Sequence, residues 1–320
     1  PASIGGFPSA SIFLQYSPEF RRVTAGSSSD KTTTARFPLV SAILPVGQRW
    51  TLGLSSSTFL DRSYETDLVR SLNVGAAGDT VQVTENSRVL GAINDVRLAL
   101  AWVGSQAFRV GFGGHVFSGS NRITFRRIFP DTVGFVGTQD GSRISYAGFA
   151  ASIGLEYRPS RAVGFAASAR KGGDLTAQSN DTTIGRGRLP DHYSGSFVYE
   201  GIPGASFSAR VAHDGWSSLS SLSSARLQAF DTWDMSVGGE ATGPRFIQRV
   251  LTLRAGARRR TLPFGFAGDK VSETDFMLGL GAPLTRDRAN IDFALQRAMR
   301  TAGSVNERGY ILSFGLRVSP

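Results

Sequence analysis

The connections between the apolar segments of this chain alternate between short and long. Short polar turns fall at residues 45–48, 104–106, 159–161, 201–204, 242–245 and 285–288. Long stretches rich in Gly, Ser and Asp lie between them, at residues 22–33, 61–88, 118–142, 172–191, 215–231, 261–271 and 300–308. A transmembrane β-barrel sorts its connections in this way, because its turns at one rim face the periplasm and its loops at the other rim face the outside. The alternation therefore predicts an all-β fold: an antiparallel up-and-down transmembrane barrel with short periplasmic turns and long extracellular loops.

Apolar and polar residues alternate within the segments that these connections join. In the last segment every second residue from Tyr310 to Val318 is apolar, and Ser313, Gly315 and Arg317 lie between them. A period of two places the two sets on opposite faces of a sheet, one suited to lipid and the other to water. The segments around residues 291–296, 251–258, 149–158 and 96–102 repeat this pattern. Each has about the length that a tilted strand needs to cross a bilayer.

The segments add up to about 14 strands, an even number, as in bacterial single-chain barrels. Residues 91–103 contain good helix formers, but their alternation favours a strand. The first three segments contain or adjoin Pro18, Pro38 and Pro45, which predict kinks or bulges. Aromatic residues with polar groups recur near the segment ends, as in the girdle of a membrane barrel: Trp50, Trp102, Tyr157, Tyr193, Tyr199, Trp233 and Tyr310.

The composition excludes several other classes of protein. No run approaches the 18 or so apolar residues of a transmembrane helix. The absence of cysteine excludes disulfide scaffolds, thiolate metal sites and cysteine nucleophiles. The formal net charge of +10 comes from basic residues that are scattered, without a basic stripe or helix. This distribution argues against nucleic acid as a partner and favours contact with anionic lipid head groups and a charged lumen.

Sequence motifs for chemistry are lacking. His115, His192 and His213 lie in different segments without the spacing of metal ligands, so we predict structural histidines, no metal and no other cofactor. The glycine-rich residues 111–114 lie inside a strand and cannot form a phosphate loop. A barrel enzyme would need a nucleophile and a base within hydrogen-bond reach. Because no motif marks such a pair, we predict that the protein is not an enzyme.

The same alternation places charged residues of both signs on the inner face of the predicted barrel. The acidic residues are Glu156, Glu240, Glu273, Asp275 and Asp292, and the basic ones are Arg97, Arg109, Arg158, Arg170, Arg210, Arg254, Arg258 and Arg317. One interpretation is a set of ion pairs that hold the barrel shape. The other is an arginine cluster that binds the carboxylate of an amphipathic ligand. For the second interpretation, the candidate ligand-binding residues are Arg210, Arg254, Arg258, Arg97 and Arg109.

Several phrases of the sequence carry a family resemblance. They are the opening Pro1, Ala2 and Ser3, residues 37–45 (FPLVSAILP), residues 49–54 (RWTLGL), and the segments 254–264, 273–283, 290–297 and 307–317. These phrases resemble the Asn-Pro-Ala motif, the second and third strands and the closing hairpins of the long-chain fatty-acid transporter (FadL) family of outer-membrane proteins, including its PorV-like relatives. The resemblance covers the whole chain in strand count and order. It implies a 14-stranded barrel whose lumen is blocked by an N-terminal hatch, with lateral release of hydrophobic ligands beside a kinked strand.

Taken together, these features predict one outer-membrane barrel domain over residues 1–320, in which residues 1–8 are a short lumenal remnant of the hatch. The expected function is a passive channel for hydrophobic or amphipathic small molecules. The alternative is a PorV-like barrel that anchors or assists another secreted or surface protein through its extracellular loops. Expected partners are outer-membrane lipids, lipopolysaccharide and a hydrophobic ligand, and the expected location is the outer membrane of a Gram-negative-type bacterium.

Overall fold

The structure, a computed structural model, describes residues 1–25, 28–61, 63–73, 80–130, 134–222, 227–246, 249–266, 269–284 and 288–319. Most of these residues lie in strands: β1 (Ser11–Ala25), β2 (Ser28–Val46), β3 (Trp50–Asp61), β4 (Tyr64–Asn73), β5 (Thr80–Val103), β6 (Phe108–Ile128), β7 (Thr138–Tyr157), β8 (Val163–Ser179), β9 (Thr182–Arg188), β10 (His192–Ile202), β11 (Ala205–Asp214), β12 (Leu227–Ala229), β13 (Thr232–Phe246), β14 (Arg249–Thr261), β15 (Phe264–Phe266), β16 (Ser272–Pro283), β17 (Ala289–Ala302) and β18 (Val305–Val318). Two 3₁₀ helices, Ala2–Gly6 and Trp216–Leu222, also occur in these ranges. None of the helices described is long and apolar enough to cross a membrane.

Fourteen of the strands close into an antiparallel barrel, because β18 pairs with β1 and β8 pairs with β10. The ring runs β1, β2, β3, β5, β6, β7, β8, β10, β11, β13, β14, β16, β17 and β18. Strands β4 and β9 extend the wall by pairing with β5 and β8, and β12 and β15 form a separate small sheet. Closure pairs every strand of the ring with a neighbour on both sides over at least part of its length. The predicted 14-stranded antiparallel barrel is confirmed.

The barrel wall is apolar on its outer face and largely polar on its inner face. Outward Phe149 and Leu278 are each 66% exposed to solvent, whereas inward Glu273 and Asp275 are fully buried. An outer face with this much exposed apolar surface is suited to lipid, since a soluble protein would bury it. The predicted alternation therefore holds, and residues 91–103 lie in strand β5 as expected.

The long connections are built partly from strands that rise above this apolar band. Residues 61–88 contain β4 and the start of β5, and residues 172–191 contain β9. Sequence alternation is absent there because both faces of such a hairpin meet water; β4 is exposed at nearly every position. The turns predicted at residues 45–48, 104–106, 159–161 and 201–204 lie at the connections between strands as expected. The turn predicted at residues 242–245 is misplaced, because these residues still belong to β13 and the connection to β14 follows at residues 247–248, outside the described residues. Residues 285–287 of the last turn also fall outside the described residues.

Strand pairing is irregular at two places in the wall near the N-terminus. The register of β1 and β2 shifts between Gln15 and Ser17, opposite Phe37 and Pro38. Proline has no N–H to donate to the ladder, so it is accommodated at a bulge, as the sequence predicts for Pro38. Pairing between β2 and β3 ends at Leu39 and Ser57. Beyond that level β2 pairs with β1, and β4 pairs with β5, so we call the unpaired stretch between them the β2/β4 opening.

Candidate functional site in the barrel lumen

The first six residues lie inside the barrel, at the rim with the short turns. Ala2 and Ile4 are buried there against the inner faces of β3, β5, β6 and β7. Inward glycines make room for them: a Cβ at Gly111 would lie 2.5 Å from the backbone N of Ala2, and one at Gly53 would lie 2.9 Å from Ile4 Cδ1. A side chain at Gly111 would clash with the backbone of the segment and displace it, whereas one at Gly53 would meet only the end of the Ile4 side chain. We call residues 1–6 the N-terminal plug.

A layer of hydrogen-bonded polar side chains lies next to the plug on its loop side. The Nδ1 atom of His115 is 2.9 and 3.0 Å from the two carboxylate oxygens of Asp95, and its Nε2 atom is 2.8 Å from Ser152 Oγ. These residues belong to β5, β6 and β7 and are far apart in sequence. Only the strand register brings them together, so sequence reasoning, which describes the histidine in isolation, misses the array.

The hydrogen bonds of the array connect Asp, His and Ser in the order found in serine hydrolases, but the strand backbone around Ser152 does not provide the oxyanion hole that such a site also needs. Such a site needs N–H donors that face the developing oxyanion. The strand backbone around Ser152 is paired on both sides, with β6 and with β8, so its N–H groups serve the ladder. A Cβ at the facing Gly113 would lie 2.6 Å from Ser152 Oγ, which places the hydroxyl close against the wall. We interpret the array as a polar network that satisfies a buried aspartate.

Arg170 extends this network across the wall. Its guanidinium lies 3.6 Å from Asp95 and 3.8 Å from Asp214, whose carboxylate is 2.8 Å from Nδ1 of His192. The third histidine, His213, faces outward and packs on the Trp233 ring at 4.8 Å. In the described part of the chain, no group of three or more His, Asp or Glu residues has the arrangement of a metal site.

An apolar cluster fills the lumen on the loop side of the polar layer. Trp216 stacks on Phe59 with ring centroids 4.9 Å apart, and Phe117 meets Phe59 edge-on at 4.7 Å. The Arg170 guanidinium lies 5.5 and 5.4 Å from the Phe59 and Phe117 ring centroids, a cation–π contact that joins the two layers. We call this set the aromatic cluster, and its other buried members are Ile93, Leu175, Leu189 and Leu219.

The second 3₁₀ helix brings Trp216 and Leu219 into the lumen. Its Ser218 and Ser221 hydroxyls each donate a 2.8 Å hydrogen bond to a backbone carbonyl of β9. Asp231 accepts a 2.9 Å hydrogen bond from the backbone N–H of Ser217, which holds the pKa of Asp231 below its ordinary value. The serine-rich composition of residues 217–224 predicts a solvated loop. Ser217, Ser220 and Ser221 are exposed as expected, but the prediction is wrong for Leu219, which is buried in the cluster. Residues 223 and 224 lie outside the described residues.

Three of the five candidate arginines are neutralised by carboxylates on the inner face. Each pair joins neighbouring or nearby strands, as the ion-pair interpretation of the sequence expects. The pairs are Arg109 with Glu156 at 2.8 Å, Arg254 with Glu240 at 2.6 Å and with Asp292, and Arg258 with Asp234.

The other two candidates, Arg97 and Arg210, make no ion pair or hydrogen bond within the described ranges. Arg97 faces His115 across the β5–β6 ladder. Arg210 lies on β11 between Ser196 and Ser236 of the adjacent strands. The structure therefore does not gather the five arginines into one cluster. Arg97 and Arg210 form no ion pair in the described part of the chain, although Arg210 lies near enough to Asp234 of the adjacent strand for an electrostatic interaction.

A second charged network, near the long loops, includes residues that sequence reasoning did not single out. Glu273 is fully buried and contacts both Arg260 and Arg300. Arg300 also lies 2.9 Å from Glu19, which is 3.1 Å from Arg36. Alternation assigns each of these residues to the inner face, but their contacts depend on the closure of β1 against β18. The network ties the first two strands to the last ones.

Small inward residues on the side of the lumen away from the plug leave a cavity of about 660 Å³. This volume lies within the range of small-molecule sites. Arg254 and Asp292 contribute charge to its wall. The small residues that line it include Ser208, Ser236, Gly238, Gly256, Gly279, Ala294 and Ser313.

An ion pair spans the β2/β4 opening. Arg36 Nε on β2 lies 2.5 Å from Asp61 Oδ2 at the end of β3. The two residues before Asp61, Phe59 and Leu60, pack in or against the aromatic cluster. The opening in the wall therefore adjoins the apolar part of the lumen.

Solved structures share this barrel along the whole chain. A FadL homologue from Pseudomonas aeruginosa has a TM-score of 0.69 at 12% identity, covering 100% of this chain and 92% of its own. The toluene transporter TodX from Pseudomonas putida has a TM-score of 0.63 at 15% identity, covering 100% and 91%. The CymD monoaromatic hydrocarbon channel has a TM-score of 0.59 at 13% identity, covering 98% and 88%. No protein-family model and no curated protein matches the sequence.

The closed barrel, the lumenal plug and the opening beside a bulged strand define a class of β-barrels with an occupied lumen and a gap in the wall. Within that class the chain has the fold of the FadL-type barrels.

Proposed function

We propose that the protein is an outer-membrane channel through which hydrophobic or amphipathic small molecules pass without a catalysed step. The β2/β4 opening carries this proposal, because it adjoins the aromatic cluster and lies in the wall of the barrel. The apolar outer face supports a location in the outer membrane. In the same proposal residues 1–320 act as one domain, and residues 1–8 act as its hatch remnant.

The proposed route runs from the loop side to the lateral opening. A ligand first meets apolar surface at Phe59, Phe117 and Trp216, which suits an aromatic or aliphatic body. The N-terminal plug and the polar layer stand between this cluster and the periplasmic rim. A hydrophobic molecule would have to lose favourable contacts to cross the polar layer, so the opening is the less costly exit.

The ligand class follows from the lining and from the proteins that share the fold. Those proteins include a toluene transporter and a monoaromatic hydrocarbon channel, which supports an apolar cargo. Arg97 and Arg210, which form no ion pair among the described residues, are the candidates for holding an acidic head group of an amphipathic ligand. Arg109, Arg254 and Arg258 are the weaker candidates, since carboxylates already occupy their donors.

A cross-link across the opening tests the lateral route. The chain has no native cysteine, so Arg36→Cys with Asp61→Cys gives a unique pair for a short bis-maleimide. Bridging should reduce uptake of a labelled aromatic hydrocarbon or fatty acid to background, whereas N-ethylmaleimide, which labels without bridging, should not. The matched control is Val40→Cys with Ser56→Cys, where β2 and β3 are already paired. Undiminished uptake in the bridged Arg36/Asp61 variant would exclude the lateral route.

One observation favours the alternative role as an anchor. Strand β4 is exposed on both faces, and Leu68 and Val69 are 59% and 62% exposed. Exposed apolar residues on a projecting hairpin suit contact with another protein. Shortening the β4–β5 hairpin should release a co-purifying partner if the barrel is an anchor, and should leave uptake intact if it is a channel.

A further inference from the structure

Three cations lie side by side on the outer face of the barrel. Arg22 on β1 pairs in register with Lys31 on β2 and with Arg308 on β18. All three are exposed. Their orientation is fixed by alternation: the neighbouring Arg21 points inward, where it donates a 3.0 Å hydrogen bond to Thr34 Oγ1. The Arg22 side chain therefore lies on the outer face of the barrel wall.

Two further arginines continue this row around the outer wall. Arg297 on β17 lies between Tyr310 and Phe276, and Arg259 on β14 lies between Met235 and Thr274. Both are exposed. We call the five residues the outer cation row: Lys31, Arg22, Arg308, Arg297 and Arg259.

The outer cation row has no counter-charge of its own. Among the described residues, none of its side chains forms an ion pair, and no register partner of the five is acidic. The inner face is the opposite case, since most of its arginines contact carboxylates, as Arg254, Arg258 and Arg300 do. Like charges directly opposite each other in a sheet are destabilising. An external anion would remove this repulsion.

The height of the row identifies the kind of anion. On β1 the last outward apolar residue before Arg22 is Phe20, and on β18 Tyr310 lies one outward position below Arg308. Arg22 and Arg308 thus lie where the apolar band of their strands ends, on the side of the long loops, and Arg297 lies one outward position lower, in register with Tyr310. In the proposed outer-membrane orientation this is the head-group level of the outer leaflet. The phosphorylated glucosamine of lipopolysaccharide lies at that level, and arginine binds phosphate with two parallel hydrogen bonds.

We propose that the outer cation row is a binding site for the lipid A phosphates of lipopolysaccharide. The site rests on the proposed outer-membrane location and is separate from the lumen. The acyl chains of the bound lipid A would lie over the apolar residues below the row, such as Phe20 and Phe314. A soluble phosphate would gain the charge contacts without this apolar contact, so it should bind far more weakly.

Measuring the affinity of the purified barrel for lipid A tests this site. In Arg22→Gln/Arg308→Gln, affinity for lipid A in nanodiscs should fall about tenfold or more, since each lost arginine removes charge-assisted hydrogen bonds. The matched control is Arg161→Gln/Arg245→Gln, which removes the same charge at the short-turn rim and should bind as the wild type does. Affinities for inorganic phosphate and for phosphatidylglycerol nanodiscs are measured in the same way, to distinguish lipid A from a free phosphate or another anionic lipid. Equal affinity for phosphatidylglycerol and lipid A would overturn a lipid A site.

The proposal fails if the Arg22/Arg308 variant retains wild-type lipid A affinity. Heat modifiability on gels checks that both variants are folded barrels. Where the variant yields too little folded protein, thermal denaturation of the wild type with and without lipid A gives a second measurement, and an unchanged melting temperature counts against the site. Ligand uptake through the lumen is read separately, so a failed cation row leaves the channel proposal standing, and a failed uptake assay leaves the row to be judged on lipid A affinity.

Discussion

At the scale of the residue, alternation decides whether a side chain meets lipid or the lumen. Leu253 is 44% exposed on the outer face of β14, and its neighbours Thr252 and Arg254 face inward. The same strand therefore carries an apolar residue for the bilayer and an arginine for an ion pair, one position apart. The effect of a mutation on stability here depends more on whether the position faces lipid or the lumen than on the residue type.

Paired substitutions at these two positions test the assignment of faces. Leu253→Arg should cost about 2 to 4 kcal/mol of folding free energy if the position is near the bilayer midplane, because a cation then faces hydrocarbon. Thr252→Arg should cost much less, because it enters the lumen. Urea titrations of folding into lipid vesicles measure both values. Equal costs would mean that this sheet does not face lipid.

The Asp95–His115–Ser152 array gives a second prediction at this scale. If it is structural, Ser152→Ala should leave a folded barrel, and a serine-directed fluorophosphonate should not label the wild type. His115→Ala should destabilise the fold by about 1 to 3 kcal/mol, because the buried Asp95 loses a hydrogen-bond partner. Covalent labelling that disappears in Ser152→Ala would instead identify a hydrolase, against the proposal that the protein is not an enzyme.

At the scale of the strand, register determines which inward residues become neighbours. Alternation in the sequence predicts the inward face of β5, β6 and β7, including Arg97 and His115. It does not predict that Asp95, His115 and Ser152 meet, because a shift of register along any of these strands would separate them. The bulge at Pro38 is a partial exception, since proline cannot donate to the ladder. The sequence predicts the same for Pro18 and Pro45, but both pair without a shift of register, with Ala35 and Thr51.

Gly111, which lies beneath the N-terminal plug, gives a prediction about strand β6. Gly111→Ala should displace the plug, because the new Cβ would lie 2.5 Å from the backbone N of Ala2. The displacement can be read from a cysteine at Ala2, which is 3% exposed and should react slowly with maleimide in the wild-type background. The control, Gly114→Ala on the same strand, has no atom within 4 Å of its Cβ and should leave the reaction slow. Slow reaction in both backgrounds would contradict the role of Gly111.

At the scale of the whole molecule, the strand number and antiparallel order follow from the sequence, and the filling of the lumen does not. Alternation recurs in many segments, so an error in one segment changes the predicted strand number and order only a little. The aromatic cluster, by contrast, depends on Trp216 and Leu219 folding back from a serine-rich loop that its composition describes as solvated. Two long-range contacts, with β9 and with Phe59, overrule that local preference.

The orientation of the barrel is the remaining prediction at this scale. The hairpin of β8 and β9 turns at Asn180 and Asp181, both with positive φ, and projects from the rim with the long connections. An epitope inserted there should be reached by antibody on intact cells, because long loops face outward in this class of barrel. An epitope at residues 160–161, in a short turn between β7 and β8, should be reached only after the outer membrane is opened. The opposite pattern would invert the barrel, and it would also move the outer cation row to the inner leaflet, where lipopolysaccharide is absent and the lipid A site could not form.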